Sequence, residues 1–197
     1  MFQKNLVFAL VTSVIFSALI ILCTTSNGFA ANNFLSVSKA LVRVSGDHAS
    51  SLFMITKGKI PKDGSEGAFG YGAISSTSSK AFKVAIVTVT HKGILDSDLQ
   101  QGDRNSSVFH NHYVLIGPSP ICRGDLAVRG ITSESPGNVA VIGHDIAITN
   151  LPKSSGGITP NPDIQDVVSF KLVIKGDRRH HETCATEIQP ANKFIVK

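Results

Sequence analysis

The stretch KAFKVAIVTVTH, Lys80–His91, decides the fold class. Phe82, Val84 and Ile86 fall on one side of an extended chain, and Lys83, Ala85, Val87 and Val89 on the other. That is the two-residue period of a β-strand, and the β-branched content suits a pleated surface better than a helix. The same grammar continues on both sides. ALVRVSG (Ala40–Gly46) and SLFMITKG (Ser51–Gly58) precede it, and VFHNHYVLIG (Val108–Gly117), DLAVRGIT, NVAVIGHDIAIT, VVSFKLVIKG and KFIVK follow. Gly, Pro, Ser or Asn bounds almost every segment, and outside the N-terminal leader no window holds a capped 3.6-residue period. Short strands separated by turn signals predict an all-β chain, a single antiparallel β-sandwich of immunoglobulin-like or jelly-roll-like type. The Gly-rich piece Asp63–Gly72 and the piece Leu151–Asp163 are expected to be its long loops.

The first thirty residues read as something other than fold. Lys4 is followed by an uncharged run, Leu6–Cys23, and then by Gly28-Phe29-Ala30, with small residues at −3 and −1 of a cut after Ala30. This is the layout of an export signal helix. The apolar run is longer than a usual signal core, so an uncleaved anchor, tethering the chain to a membrane through residues 6–23, is the alternative to cleavage. Either way residues 31–197 are expected outside the cytoplasm: extracellular, periplasmic or at the cell surface. They are enough for one domain with a core of its own.

Two cysteines follow the leader, Cys122 and Cys184. In an oxidising compartment a distant pair most simply forms one disulfide; free thiols or a metal pair are the alternatives. The net charge of +5 is mild and spread along the chain, which does not suit nucleic-acid binding. The basic cluster KGDRRHH, Lys175–His181, reads as a solvated turn after a strand.

One constellation carries chemistry. In VFHNHYVLIG, His110 and His112 share a strand face with Val108, Val114 and Ile116, about 6.6 Å apart along the backbone. If this strand pairs as a hairpin with the one ending at His91, all three imidazoles meet at one sheet edge, beneath a loop that carries Asp96, Asp98 and Asp103. Three neutral imidazoles suit Zn²⁺ or Cu²⁺ and leave a coordination position open. Asp96 is the candidate carboxylate, as a fourth ligand or as a partner that fixes an imidazole. His144, sharing a face with Ile142, Ile146 and Ile148, is expected to be a core histidine and is a weaker candidate ligand.

Other metal chemistries fit poorly. A blue-copper set needs a Cys closely followed by His, and Cys122 is followed by RGDLAVRG. The HExxH helix of metalloproteases is absent. Ca²⁺ is disfavoured, because an EF-hand starting at Asp96 would place Gln101 where Gly is required and Ser107 where Glu closes the loop. No nucleophile elbow or phosphate loop occurs, so neither a catalytic residue nor a partner can be named. Two functions remain: an exported protein that binds or carries a transition metal, and a metal-free cell-surface binding or structural module whose histidines brace a loop. Geometry separates them. Ring nitrogens within about 4 Å of one another favour metal, whereas splayed or backbone-capped rings favour the brace.

Overall fold

The computed structural model describes residues 33–63, 65–76, 81–92, 94 and 108–197. The leader and its expected cleavage site, and the loop carrying Asp96, lie outside these. Among the described residues no helix is long and apolar enough to cross a membrane.

After a short 3-10 turn (Asn33–Leu35) come eleven strands. They are β1 (Val37–Ser45), β2 (His48–Thr56), β3 (Ala68–Ser75), β4 (Lys83–His91), β5 (His110–Pro118), β6 (Leu126–Ile131), β7 (Asn138–Ile142), β8 (Asp145–Thr149), β9 (Ile164–Gly176), β10 (His181–Pro190) and β11 (Phe194–Val196). The all-β expectation holds, but the single sandwich does not describe the arrangement. One sheet has the order β11-β1-β2-β8-β7, with β11 parallel to β1, and the other six strands close into an antiparallel barrel in the order β10-β6-β5-β4-β3-β9.

The alternation along β4 explains how the two parts share a core. Val84 and Ile86 pack outward into a cluster with Leu52, Met54, Ile146 and Ile148 of the five-stranded sheet. Ala85, Val87 and Val89 point the other way and meet Val114, Ile116, Val168 and Phe170 inside the barrel. In a sandwich one face of each strand meets the core and the other meets solvent. Here every β4 position after Lys83 is buried, because one face meets the second sheet and the other the lumen.

The Gly-rich segment is half loop, half strand. Its second part enters β3, which is buried at every position and pairs with β4 and β9. Gly70 and Gly72 permit this. A Cβ on Gly72 would lie 2.3 Å from the Ile86 carbonyl oxygen and 2.8 Å from Val87 Cγ1, and one on Gly70 would lie 2.6 Å from both the Thr88 oxygen and Val89 Cγ1. The two glycines give up their side-chain space so that the valines of β4 can fill a narrow barrel.

The barrel's last seam, between β6 and β10, is short: Ala127 pairs with Cys184 and Leu126 with Ala185. The expected disulfide lies at this seam. Cys122, in the turn before β6, is bonded to Cys184 of β10. Two ion pairs flank it, Arg129–Glu182 at 2.7 Å and Lys175–Asp125 at 2.6 Å. The basic cluster is the β9–β10 turn, where Asp177 Oδ1 accepts the amides of Arg179 and His180.

Candidate metal centre

The hairpin on which the three-histidine reading depended is present. β4 and β5 pair antiparallel, with Val87 opposite His112 and Val89 opposite His110. His91, two residues beyond Val89, therefore stands beside His110 at the same end of the barrel. All three belong to the lumen-facing registers of their strands, in step with Val87, Val89 and Val114. His91 and His112 are each only 1 % exposed, and His110 is half-buried.

The rings pack edge to face. His91 and His110 have centroids 4.6 Å apart at 87°, and His110 and His112 4.7 Å apart at 83°. One nitrogen from each ring belongs to a set lying within 4.8 Å of one another, a group that could hold a metal ion. The Nε2 atoms of His91 and His110 are 2.9 Å apart.

The other nitrogens are fixed by backbone. His91 Nδ1 donates to the Ile94 carbonyl at 2.7 Å, His110 Nδ1 to the Val108 carbonyl at 3.0 Å, and His112 Nδ1 to the Thr132 carbonyl at 2.9 Å. A carbonyl oxygen only accepts, so each bond places a ring proton on Nδ1, while the Nε2 atoms of His91 and His110 lie within hydrogen-bond distance of each other. Backbone carbonyls commonly orient metal-bound histidines in this way. Both criteria posed from the sequence are thus partly met: the nitrogens gather, somewhat more widely than 4 Å, and each ring is capped by backbone at Nδ1.

An ion bonded at 2.0–2.1 Å to each of three imidazoles in tetrahedral geometry needs nitrogens about 3.3 Å apart. The His91–His110 spacing is shorter than this and the limit of the set is wider.

The other candidates fall elsewhere. Asp96 lies outside the described residues. His144 is not on a core face: it is exposed in the turn between β7 and β8, its Nδ1 3.3 Å from the Thr56 carbonyl oxygen, in the five-stranded sheet rather than the barrel. Its supposed face-mates diverge too, with Ile146 and Ile148 buried and Ile142 72 % exposed. Ile94 and Thr132 had no part in the sequence reading, and Val108 entered it only as a face-mate of the two β5 histidines. These three residues act through main-chain oxygens, which every residue carries, so their side chains gave no signal. Asn111, between the two β5 histidines, faces away from them, and its amide Nδ2 donates to the Pro136 carbonyl at 3.0 Å.

Comparison of the chain with protein-family models, curated proteins and solved structures finds no match.

Proposed function

We propose that this chain is an exported protein that binds or carries a transition metal, Zn²⁺ or Cu²⁺, at His91, His110 and His112. The observation that carries the reading is the gathering of the three rings at one end of the barrel. Each Nδ1 meets a backbone carbonyl, and one nitrogen from each ring lies within 4.8 Å of the others. Three neutral imidazoles at one point suit both ions, with copper the tighter binder of the two by the usual divalent order. The remaining coordination position would be open to water, a loop carboxylate such as Asp96, or a ligand. Export is supported by the leader and by the Cys122–Cys184 disulfide, which belongs to an oxidising compartment.

The second reading is a metal-free surface module. The bonds to Ile94 and Val108 favour it, since they tie both ends of the β4–β5 connection to the barrel.

Elemental analysis of the purified, untagged protein beside a His110→Ala/His112→Ala variant decides between them. About one zinc or copper per chain, lost in a variant that keeps its β-sheet circular dichroism, supports the metal centre. A wild-type protein that takes up neither ion during incubation leaves the brace.

A further inference from the structure

Below the histidines the barrel is not filled. A cavity of about 80 Å³ runs among lumen-facing side chains that include Ile74, Ala85, Val87, Val114, Val168 and Phe170. All six barrel strands contribute to its wall, so it is the interior of the barrel itself and not a surface groove. Its polar side chains are His112 and Thr183. His112 belongs both to this wall and to the histidine group, so the cavity and the candidate metal centre share a side chain.

A water needs several polar partners to settle in a buried space, and an apolar cavity of about 150 Å³ stays dry and takes up benzene or xenon. A cavity near half that size, with apolar walls, suits three or four carbon atoms. A metal ion held by three neutral imidazoles would keep its full positive charge, which favours an anionic ligand head at the open position.

We propose, building on the metal reading, that the barrel lumen receives the alkyl tail of a short-chain aliphatic carboxylate whose head group ligates the metal. Chain length is then read by the lumen and charge by the metal, with His112 at the junction.

The test uses the Co²⁺-loaded protein, whose visible absorption reports the ligands of the ion. It is titrated with formate, propanoate, butanoate and octanoate. Affinity should rise about threefold to fourfold per added methylene as far as butanoate, following the usual gain for burying a CH₂ group, and should rise no further at octanoate. Ala85→Leu from β4 and Ala185→Leu from β10 each occupy the lumen from a different wall, so one serves if the other does not fold. Compared at equal cobalt occupancy, either should flatten the rise with chain length. An affinity independent of chain length in the wild type overturns the proposal, as does a rise that survives both variants.

The metal-free protein separates this from the metal reading. Xenon uptake, followed by ¹²⁹Xe NMR and reduced by Ala85→Leu, would establish the cavity as a ligand site even if cobalt failed to bind; the carboxylate head would then be withdrawn. Cobalt binding without xenon uptake or chain-length dependence would leave the metal centre standing and remove the lumen ligand.

Discussion

His91 Nε2 and His110 Nε2 face each other across 2.9 Å, while the opposite nitrogen of each ring meets a backbone carbonyl. With both ring protons held on Nδ1, the facing atoms are both lone-pair donors, and such an approach is stabilised by a cation between them, a proton or a metal ion. A metal that binds the native state alone stabilises it by mass action, by about 2.7 kcal/mol at a hundredfold excess over Kd. For a domain of this size that is a rise in Tm of about 5–10 °C. Zn²⁺ or Cu²⁺ should produce this rise in wild-type protein and not in His110→Ala/His112→Ala. Differential scanning calorimetry with and without chelator measures it; equal shifts in both proteins would assign the effect to other residues.

The disulfide should matter more than its single bond suggests, because it closes the shortest seam of the barrel. β6 and β10 are paired only at Ala127–Cys184 and Leu126–Ala185, and Cys122–Cys184 lies beside them. The cross-link spans a sequence separation of 62, for which the chain-entropy model gives about 4 kcal/mol of stabilisation. A Cys122→Ala/Cys184→Ala variant should therefore melt about 8–16 °C lower. Its added hydrogen exchange should concentrate in β6 and in β10 around Cys184. Exchange raised evenly over both sheets would show that the seam is held by something else.

The sequence made the strand and its two faces plain at β4, where β-branched and small apolar residues supply both faces of a two-residue period. The histidine group was legible for the same reason: a two-residue period puts His110 and His112 on one face, and a hairpin brings His91 to them. Closure of the barrel was not legible. It rests on β6 meeting β10 across more than fifty residues, and such a pairing leaves no local signal. β10 was also hidden, since His181, Glu182, Thr183, Glu187 and Gln189 give it few apolar positions. β3 was read partly as loop because glycine usually marks turns. In β3 the glycines of AFGYG instead mark the closest approach of two strands.

That approach gives a sharp mutational expectation. At Gly72 an added methyl group would meet the Ile86 carbonyl oxygen at 2.3 Å, and main chain in the middle of a closed barrel cannot step aside cheaply. Gly72→Ala should cost at least about 3 kcal/mol, the upper range for overpacking a core. Gly130→Ala in β6 is the contrast, since its nearest obstacle is the flexible Leu115 side chain at 3.3 Å. It should stay within about 1 kcal/mol of wild type. Urea denaturation of both variants tests the pair, and similar midpoints would contradict the packing argument.

The chain's two tyrosines set its behaviour in alkali. Tyr71 donates its hydroxyl proton to the Phe34 carbonyl at 2.7 Å, and Tyr113 donates to the Pro152 carbonyl; both residues are fully buried. Burial disfavours the phenolate, which pushes Tyr113 up to about 12 and Tyr71 further still. An unfolded tyrosine ionises near pH 10. Below that pH both states hold the proton and stability is unaffected. Above it the unfolded chain releases protons that the folded chain retains, so stability falls as pH rises from about 10 through 12. The folded protein should therefore show little phenolate absorbance near 295 nm at pH 11, and phenolate should appear together with loss of the β-sheet circular dichroism. Tyr113→Phe should make the stability loss between pH 10 and 12 shallower, at the cost of about 1 kcal/mol at neutral pH for the lost hydrogen bond. Reversible titration of both phenols near pH 10 in the intact fold would show that these rings are open to water and that the packing between barrel and sheet is looser than described.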